Sequence, residues 1–517
     1  MTTVVLGLDG AGFELLEDWL GDPLANLQRI KTEGIAADLR PCFPPVTCPN
    51  WQCYAKSSNP GKLGVFWWES IDTEKRTIQN SSAATDFDGE YYWDYLNESR
   101  AILNLPTSYP PANTNGIHVA GGPGAEQNNY ASPAEFENQL ETEHGYKVHP
   151  ENLSLLDKNT PHNECIQEIR DLIDVRFDVI TDLVRSGEYE FIHLSIFYIN
   201  MLQHFYYDHD VVRGTWELID DRIGELLALD ELDNLFIMSD HGSNRVQSWF
   251  RINSWLEQNG YLVRSRGVSD WLTTAGITRE RTRALLGSLG IEWWARRLVP
   301  ERIQRLLPDS SGTVDRSAKA DLIDWENSKA IASGQGPIYI IASDPEEREE
   351  IKSELIADLS DLRAPDGDLI VRNIHRAEEI YDGEHVDSGP DLVIDQAPGV
   401  HIDGGIGSEI VFDDPHKWNG ENTMTGLFMA YGEDITNEFE DDRIHITDIG
   451  PTILHLHDRL IPEQMDGHVR DVFTAGSDPA QREPVRSNDL TPTIASEQNG
   501  QKESEVTERL EDLGYLE

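Results

Sequence analysis

Short apolar runs alternate with helix-like segments along this chain. The first run, TVVLGL at residues 3–8, is followed by a Gly-containing loop and a helical pattern from Phe13 to about Glu33. Two later runs, in GEYEFIHLSIF and DNLFIMSDHG, enclose a helix-like segment from Val212 to Ala228. Strands that alternate with helices usually form a largely parallel sheet, because the connecting helices cover its faces. The sequence therefore predicts an α/β fold.

Polar residues follow these apolar runs where each strand is expected to end. Asp9 follows the first run, the FYIN segment at residues 197–200 follows Ser195, and Asp240 follows LFIM. In parallel sheets, functional loops lie at the carboxyl ends of the strands. These three positions are therefore expected to meet at one edge of the sheet.

Acidic residues dominate the charge of the chain. There are 93 acidic and 42 basic residues, so the formal net charge is −51, and the basic residues comprise 31 Arg and 11 Lys. Such a charge destabilises a compact state at low ionic strength and is screened by molar salt. This pattern is typical of a halophilic cytoplasmic protein. Nucleic acids and anionic membranes are poor partners for such a surface.

Other composition signals favour a reducing compartment and no membrane association. The sequence contains no run of about 20 apolar residues, and its amino terminus lacks the basic segment of a secretion signal. The cysteines show neither metal-ligand spacing nor a disulfide framework, and they are interpreted as buried thiols: Cys42, Cys48, Cys53 and Cys165. The sequence leaves the oligomeric state open.

Composition also divides the chain into segments. Residues 1–475 are expected to form one catalytic domain, in which the polar, poorly periodic segment 68–185 forms a lid and 265–330 a helical insertion. Residues 476–501 are rich in Ser, Asn, Pro and acid, which predicts a linker. Residues 502–517 are expected to form a short terminal helix.

Four clusters contain residues suited to two-metal phosphoryl chemistry. Such chemistry needs carboxylates and imidazoles around two cations, with a nucleophile held by one of them. Each cluster also has a simpler interpretation: a polar turn, a helix N-cap, a buried histidine or a surface histidine. The clusters are Asp240–His241 after a strand, Thr47 in FPPVTCPNW, Asn200 with His204 four residues later, and His416 in DDPHKWNG.

Taken in order, these clusters resemble the type I phosphodiesterase and nucleotide pyrophosphatase branch of the alkaline phosphatase superfamily. The resemblance covers about residues 1–475 and includes LGLDGAG, PPVTCPNW, the NPG turn at 59–64, Asp-His-Gly and the segment TDIGPTILHLHDRLIPEQMDG. It implies a three-layer α/β/α sandwich with a mostly parallel central sheet. It also implies a metal-dependent hydrolase that acts on small-molecule phosphate esters.

The resemblance further implies two divalent cations, with zinc or manganese as the candidates. One would be bound by Asp9, Thr47, Asp240 and His241, and the other by His204, His416 and the residue at position 200. Thr47 would attack phosphorus and form a phosphothreonine. No position for binding the rest of the substrate is implied.

Three positions depart from the family pattern. Asn200 replaces an Asp, which weakens one metal site, while Trp68 and Leu63 replace residues that nucleotide-cleaving members have. A catalytically weakened member that only binds a phosphorylated ligand is therefore an alternative. A phosphomonoesterase, phosphomutase or sulfatase-like relative is another, although TCPNW lacks the Arg of a sulfatase motif.

Overall fold

The structure is a computed structural model of the chain. It describes residues 1–81, 87–153, 156, 161–265, 316–416, 418–439, 441 and 443–492. The segments expected to form most of the helical insertion, the end of the linker and the terminal helix lie outside these residues. None of the helices in the described ranges combines the length and the apolar character that a membrane crossing requires.

The strands of the described residues follow one another throughout the chain. In chain order they are β1 (Thr3–Leu8), β2 (Ile35–Arg40), β3 (Glu69–Asp72), β4 (Thr77–Asn80), β5 (Arg100–Pro106), β6 (Gly116–Gly121), β7 (Ala131–Ser132), β8 (Phe191–Ile196), β9 (Asn234–Met238), β10 (Gly242–Arg245), β11 (Ser248–Arg251), β12 (Ala330–Ala332), β13 (Pro337–Ile340), β14 (Val371–Arg376), β15 (Leu392–Gln396), β16 (Val400–Asp403), β17 (Phe412–Asp413), β18 (Gly420–Thr423), β19 (Gly426–Gly432), β20 (Arg443–His445), β21 (Ile461–Pro462) and β22 (Arg486–Ser487).

Helices of the same described residues lie between these strands. They are α1 (Phe13–Leu16), α2 (Ala25–Glu33), α3 (Thr47–Lys56), α4 (Pro60–Leu63), α5 (Ala134–His144), α6 (Asn163–Ser186), α7 (Tyr198–Tyr206), α8 (Asp210–Leu227), α9 (Ile252–Gln258), α10 (Pro345–Leu359), α11 (Ala377–Ile380), α12 (Ile449–Leu456) and α13 (Asp478–Gln481).

A nine-stranded sheet forms the centre of the molecule. Its strand order is β20-β2-β19-β9-β1-β8-β5-β6-β7. Strand β1 pairs in parallel with β8 and β9, and β5 pairs in parallel with β8 and β6. Strand β19 runs antiparallel to both of its neighbours, and β7 runs antiparallel to β6. The expected α/β fold with a mostly parallel sheet is confirmed.

Helices pack on this sheet through their apolar residues. Helix α2 contacts β2 and β19, α6 contacts β8, and α3 contacts β5, while α8 packs against α2, α6 and α7. Strands β1 and β8 are buried along their whole lengths, as strands covered on both faces should be. The sheet and its helices share one large hydrophobic core.

A second, smaller core surrounds a four-stranded sheet of order β12-β13-β15-β14, whose strand pairs are antiparallel. Helix α10 packs against β13 and β14. Its start is fixed by Asp344, whose carboxylate accepts hydrogen bonds from the backbone N–H groups of Glu346 and Glu347.

The segment at 68–185 differs from the expected lid. It supplies β5, β6 and β7 to the central sheet and also contains the 24-residue helix α6. The apolar stretch AILNLP is short and lies between polar turns, but all seven residues of β5 are buried. The composition of this segment did not predict these strands, because the loops that flank them are polar.

Candidate active site

The carboxyl ends of three adjacent strands bring the candidate residues together. Leu8 of β1 pairs with Ile196 of β8, and Gly7 pairs with Met238 of β9. Asp9, the start of α7 and Asp240 therefore lie at the same edge of the sheet. The backbone N–H of Gly10 donates to Asp240 Oδ1 at 3.1 Å, which joins two loops 230 residues apart in the chain.

Thr47 is the first residue of α3 and is completely buried. The N-cap of this helix is Val46, and no side chain caps it, so the Thr47 hydroxyl does not serve as a helix cap. That hydroxyl lies 3.1 Å from His241 Nε2 and 3.5 Å from Asp9 Oδ1. The simpler interpretation of Thr47, an N-cap, does not describe this geometry.

Asp9, Asp240 and His241 form a compact group of metal-ligand type. Each offers one ligand atom, and these atoms all lie within 4.8 Å of one another. His241 Nε2 is 3.2 Å from Asp240 Oδ2 and 3.8 Å from Asp9 Oδ1. His241 Nδ1 lies 2.9 Å from the carbonyl oxygen of Gly242, and donation there leaves the Nε2 lone pair directed to the carboxylates.

The electrostatics of this group fit a divalent cation. Burial raises the pKa of Asp9 well above its ordinary value, and the nearby Asp240 carboxylate adds to the rise, against hydrogen bonds from Trp51, Asn200 and Thr47. Burial likewise raises the pKa of Asp240, against the opposing effect of His241. Two buried carboxylates with oxygens within 4.8 Å of each other are costly without a compensating positive charge. Oxygen and imidazole ligands of this kind suit zinc or manganese.

Trp51 fixes the orientation of Asp9. The indole Nε1 donates to Asp9 Oδ2 at 2.8 Å, one helical turn after Thr47. This bond leaves Asp9 Oδ1 facing the Thr47 hydroxyl and His241. Trp51 closes the PPVTCPNW motif, but the motif alone does not show that its indole binds Asp9, because a Trp in a helix usually belongs to the core.

Asn200 lies beside this group on α7. Its side chain is hydrogen-bonded to Asp9, and its Oδ1 lies 3.5 Å from Gln203 Nε2. Gly10 makes this approach possible, because a Cβ at that position would lie 2.2 Å from Asn200 Oδ1. Asn200 is completely buried, as the ligand at its position would be.

His204 is buried one turn further along α7. Its Nδ1 lies 2.8 Å from the carbonyl oxygen of Gly420, and its ring stacks on Trp418 with a centroid distance of 4.2 Å. Burial lowers the pKa of His204 to about 4, so the imidazole is neutral at physiological pH, as a metal ligand must be.

His416 lies apart from the Asp9 group. Its side chain is about 43% exposed, its Nε2 is 2.7 Å from Asp413 Oδ2, and its ring meets Trp249 edge-on. Within the described residues, the metal-ligand group around Asp9 does not include His416. Asp208 and Asp210 are the nearby residues that could supply the carboxylate missing at position 200, and Asp208 is bound to Arg245.

A buried Glu421 near His204 was not expected from the sequence. Glu421 is 1% exposed, accepts a hydrogen bond from Gln335 Nε2 at 2.7 Å and contacts His401. Burial raises its pKa, but the larger combined effect of His401, Gln335 and His204 lowers it. No local pattern marks GENT as a buried strand with a charged side chain, so this position depends on tertiary contacts.

Comparison with family models assigns residues 3–423 to "Type I phosphodiesterase / nucleotide pyrophosphatase". The chain belongs to this family. The match covers most of the chain, including every candidate residue discussed above, and confirms the resemblance drawn from the motifs. Members of this type I phosphodiesterase family are hydrolases of phosphate esters, and the chain is assigned to that general class.

Solved structures show the same fold. The phosphonoacetate hydrolase of Sinorhizobium meliloti 1021, in complex with phosphonoformate, is 13% identical with a TM-score of 0.54, covering 87% of this chain and 94% of that one. Wild-type alkaline phosphatase PafA is 12% identical with a TM-score of 0.52, covering 90% and 98%. At identities this low, the similarity shows the fold alone. It confirms the alkaline-phosphatase-like sandwich. No curated protein sequence matches the chain.

Proposed function

We propose that the chain is a metal-dependent phosphodiesterase or phosphatase in which Thr47 is the nucleophile. The observation that carries this proposal is the position of the Thr47 hydroxyl, 3.1 Å from His241 Nε2 and 3.5 Å from Asp9 Oδ1. A threonine hydroxyl is a weak nucleophile unless neighbouring groups activate it. Here it lies beside a group that attracts a cation.

Asp9, Asp240 and His241 would hold one divalent cation together with Thr47. Such an ion lowers the pKa of a bound hydroxyl and offsets negative charge on a phosphoryl group. Thr47 Oγ1 would lose its proton to solvent and form the new bond to phosphorus, while the ester oxygen departs with the bonding electron pair and takes up a proton from solvent. Water would then cleave the bond between Thr47 Oγ1 and phosphorus, which releases the phosphate product and restores the hydroxyl. Trp51 and the Gly10 N–H hold the two carboxylates in place.

A second cation is proposed at Asn200, His204 and His416. Asn200 supplies a neutral amide oxygen, so this site offsets less of the cation's charge than the site at Asp9 does. To bind this cation, His416 Nε2 would have to give up its contact with Asp413 Oδ2. We therefore expect the second site to be the weaker one. The ions are proposed to be zinc, with manganese as the alternative.

The substrate is proposed to be a small phosphate ester, and the protein is proposed to be cytoplasmic and halophilic. The S. meliloti hydrolase, which shares the fold, was solved with the small phosphonate phosphonoformate. The net charge of −51 supports the halophilic assignment and argues against polyanionic partners.

Asn200 favours a second candidate function, a member that binds a phosphorylated ligand without turning it over. An assay with bis(p-nitrophenyl) phosphate in molar salt separates the two functions. Protein stripped by a chelator should be inactive and should regain turnover with Zn²⁺ or Mn²⁺. Phosphate binding without turnover under any of these metals would favour the second candidate.

A further inference from the structure

A small polar cavity lies beside the Thr47 segment, outside the group that holds the candidate metal ligands. Its lining includes Pro45, two residues before Thr47, and Asn244, three residues after His241. Two residues of chain span at most about 7 Å, so the α-carbon of Pro45 in the lining lies within that distance of the α-carbon of Thr47. The cavity has a volume of about 20 Å³, which exceeds the ~10–15 Å³ that one water molecule needs.

Carboxamide side chains provide much of the lining. They are Asn244 on β10, Gln335 between β12 and β13, Gln396 on β15 and Asn422 on β18. Four of their buried polar atoms have no hydrogen-bond partner among the described residues: Asn244 Oδ1, Gln396 Oε1, and both Oδ1 and Nδ2 of Asn422. Asn422 is 1% exposed and Asn244 is 4% exposed.

This concentration of unpaired polar atoms points to a ligand group. Buried polar atoms are nearly always hydrogen-bonded, and leaving one unsatisfied costs about 1–3 kcal/mol. Three of the four atoms are acceptors and one is a donor group. A hydroxyl both donates and accepts, so one hydroxyl could donate to one of the three oxygens and accept from the Asn422 amide.

The charge and the residue types of the cavity lining further restrict which ligand could bind. The Asp395 carboxylate in the lining faces the Arg372 guanidinium at 3.8 Å, so this pair brings no net charge. A neutral lining favours a neutral hydroxyl over an ammonium or a second phosphate. The lining residues include no aromatic ring on which a nucleobase could stack.

We propose that the cavity formed by Asn244, Gln396 and Asn422 binds a hydroxyl of the alcohol portion of the substrate, so that the preferred substrate is a polyol phosphate ester. This inference rests on the proposed function, because it places the phosphoryl group at Thr47. It adds a specificity site to that function and disfavours nucleotides as substrates.

Binding to a Thr47→Ala protein tests the cavity without turnover. The Zn²⁺-loaded variant is titrated by calorimetry in molar salt with glycerol 3-phosphate and with propyl phosphate, which lacks both free hydroxyls. Glycerol 3-phosphate should bind at least tenfold more tightly. Adding Asn244→Leu should reduce this ratio to about one, and Gln396→Leu, at a half-buried position, provides a second test if the first variant fails to fold.

Asn138→Leu, on the exposed face of α5, is the matched control and should keep the tenfold ratio. Equal affinities of the two ligands, or no measurable binding of either, would overturn the proposal and leave the cavity as the site of a structural water. Hydrolysis of both esters by the wild-type protein is measured separately. A binding ratio without hydrolysis would reject the proposed function and retain the hydroxyl site.

Discussion

At the scale of single residues, the proposed function depends on two side chains. Thr47 places a buried hydroxyl between an imidazole and a carboxylate, where a helix cap would have placed it against backbone N–H groups. Asn200 places an amide where a carboxylate would strengthen cation binding. In the proposed function their effects are separable, because Thr47 would act on bond formation and Asn200 on cation affinity.

Replacing Thr47 should remove the nucleophile. Thr47→Ala should reduce turnover of bis(p-nitrophenyl) phosphate by about 10³-fold or more, equivalent to about 4 kcal/mol in the barrier, and Thr47→Ser should retain measurable turnover. Mass spectrometry of rapidly quenched wild-type protein should find the phosphoryl group on Thr47. Thr32→Ala removes an exposed hydroxyl from α2 and should leave the rate unchanged. Wild-type turnover in Thr47→Ala would reject this assignment.

Asn200→Asp should strengthen the second cation site. The substitution adds a negative charge beside His204, so calorimetric titration with Zn²⁺ should show two classes of site in the wild type and a Kd at least tenfold lower for the weaker one in the variant. Turnover should rise in parallel if that ion limits the rate. Asn138→Asp adds the same charge on an exposed helix and serves as the control. Two equally tight sites in the wild type, unaffected by Asn200→Asp, would show that Asn200 impairs nothing.

At the scale of elements, the loop after β1 joins the two halves of the site. Gly10 has a positive φ of 67°, its N–H binds Asp240, and its α-carbon lies against Asn200. This close approach lets α7 and the loop after β9 reach Asp9 together. The site therefore depends on a backbone conformation as well as on ligand side chains.

Gly10→Ala tests this dependence against a matched glycine. Gly145 has a φ of 60° with no heavy atom within 4 Å of an added Cβ, so Gly145→Ala should cost only the left-handed backbone strain of about 1 kcal/mol. Gly10→Ala adds the overlap with Asn200, so it should cost about 1–3 kcal/mol more and weaken cation binding. Thermal unfolding and Zn²⁺ calorimetry measure both effects. Equal losses of stability in the two variants would show that the Asn200 side chain moves away from the added Cβ without destabilising the fold.

At the scale of the whole molecule, the net charge of −51 opposes folding in dilute buffer. Screening is the relevant variable, since the Debye length falls from about 30 Å at 0.01 M salt to about 3 Å at 1 M. A cation at the proposed metal site would also stabilise the folded state, because it would offset the buried carboxylates of Asp9 and Asp240.

Stability should therefore rise with ionic strength. Circular dichroism across a salt series should show an unfolded or aggregated protein in dilute buffer and a cooperative unfolding transition near 1 M salt. NaCl and KCl at equal ionic strength should give similar curves, because screening depends on ionic strength and not on the identity of the cation. A protein that is fully stable in low salt would show that its acidic surface is not a halophilic adaptation.

The α/β class and the meeting of polar residues at the strand ends could be predicted from the sequence. Short and largely apolar segments form β1, β8 and β9, and a parallel sheet places the loops after these strands at one edge. The positions of Asp9 and Asp240 therefore depend mainly on local pattern. The prediction that Thr47 is a nucleophile rests on the resemblance of its Pro-bracketed motif to the family. Periodicity could not supply it, because a nucleophile and a helix cap look alike in a local pattern.

Tertiary structure alone decided the remaining features. The strands within 68–185 are short and lie among polar loops, so only pairing with β8 identifies β5 as part of the sheet. The contact of Glu421 with Gln335 joins residues 86 apart, and the bond of Trp51 to Asp9 joins residues 42 apart. Local sequence patterns encode the preferences of neighbouring residues, whereas the partner of a buried polar group is chosen by packing between distant segments.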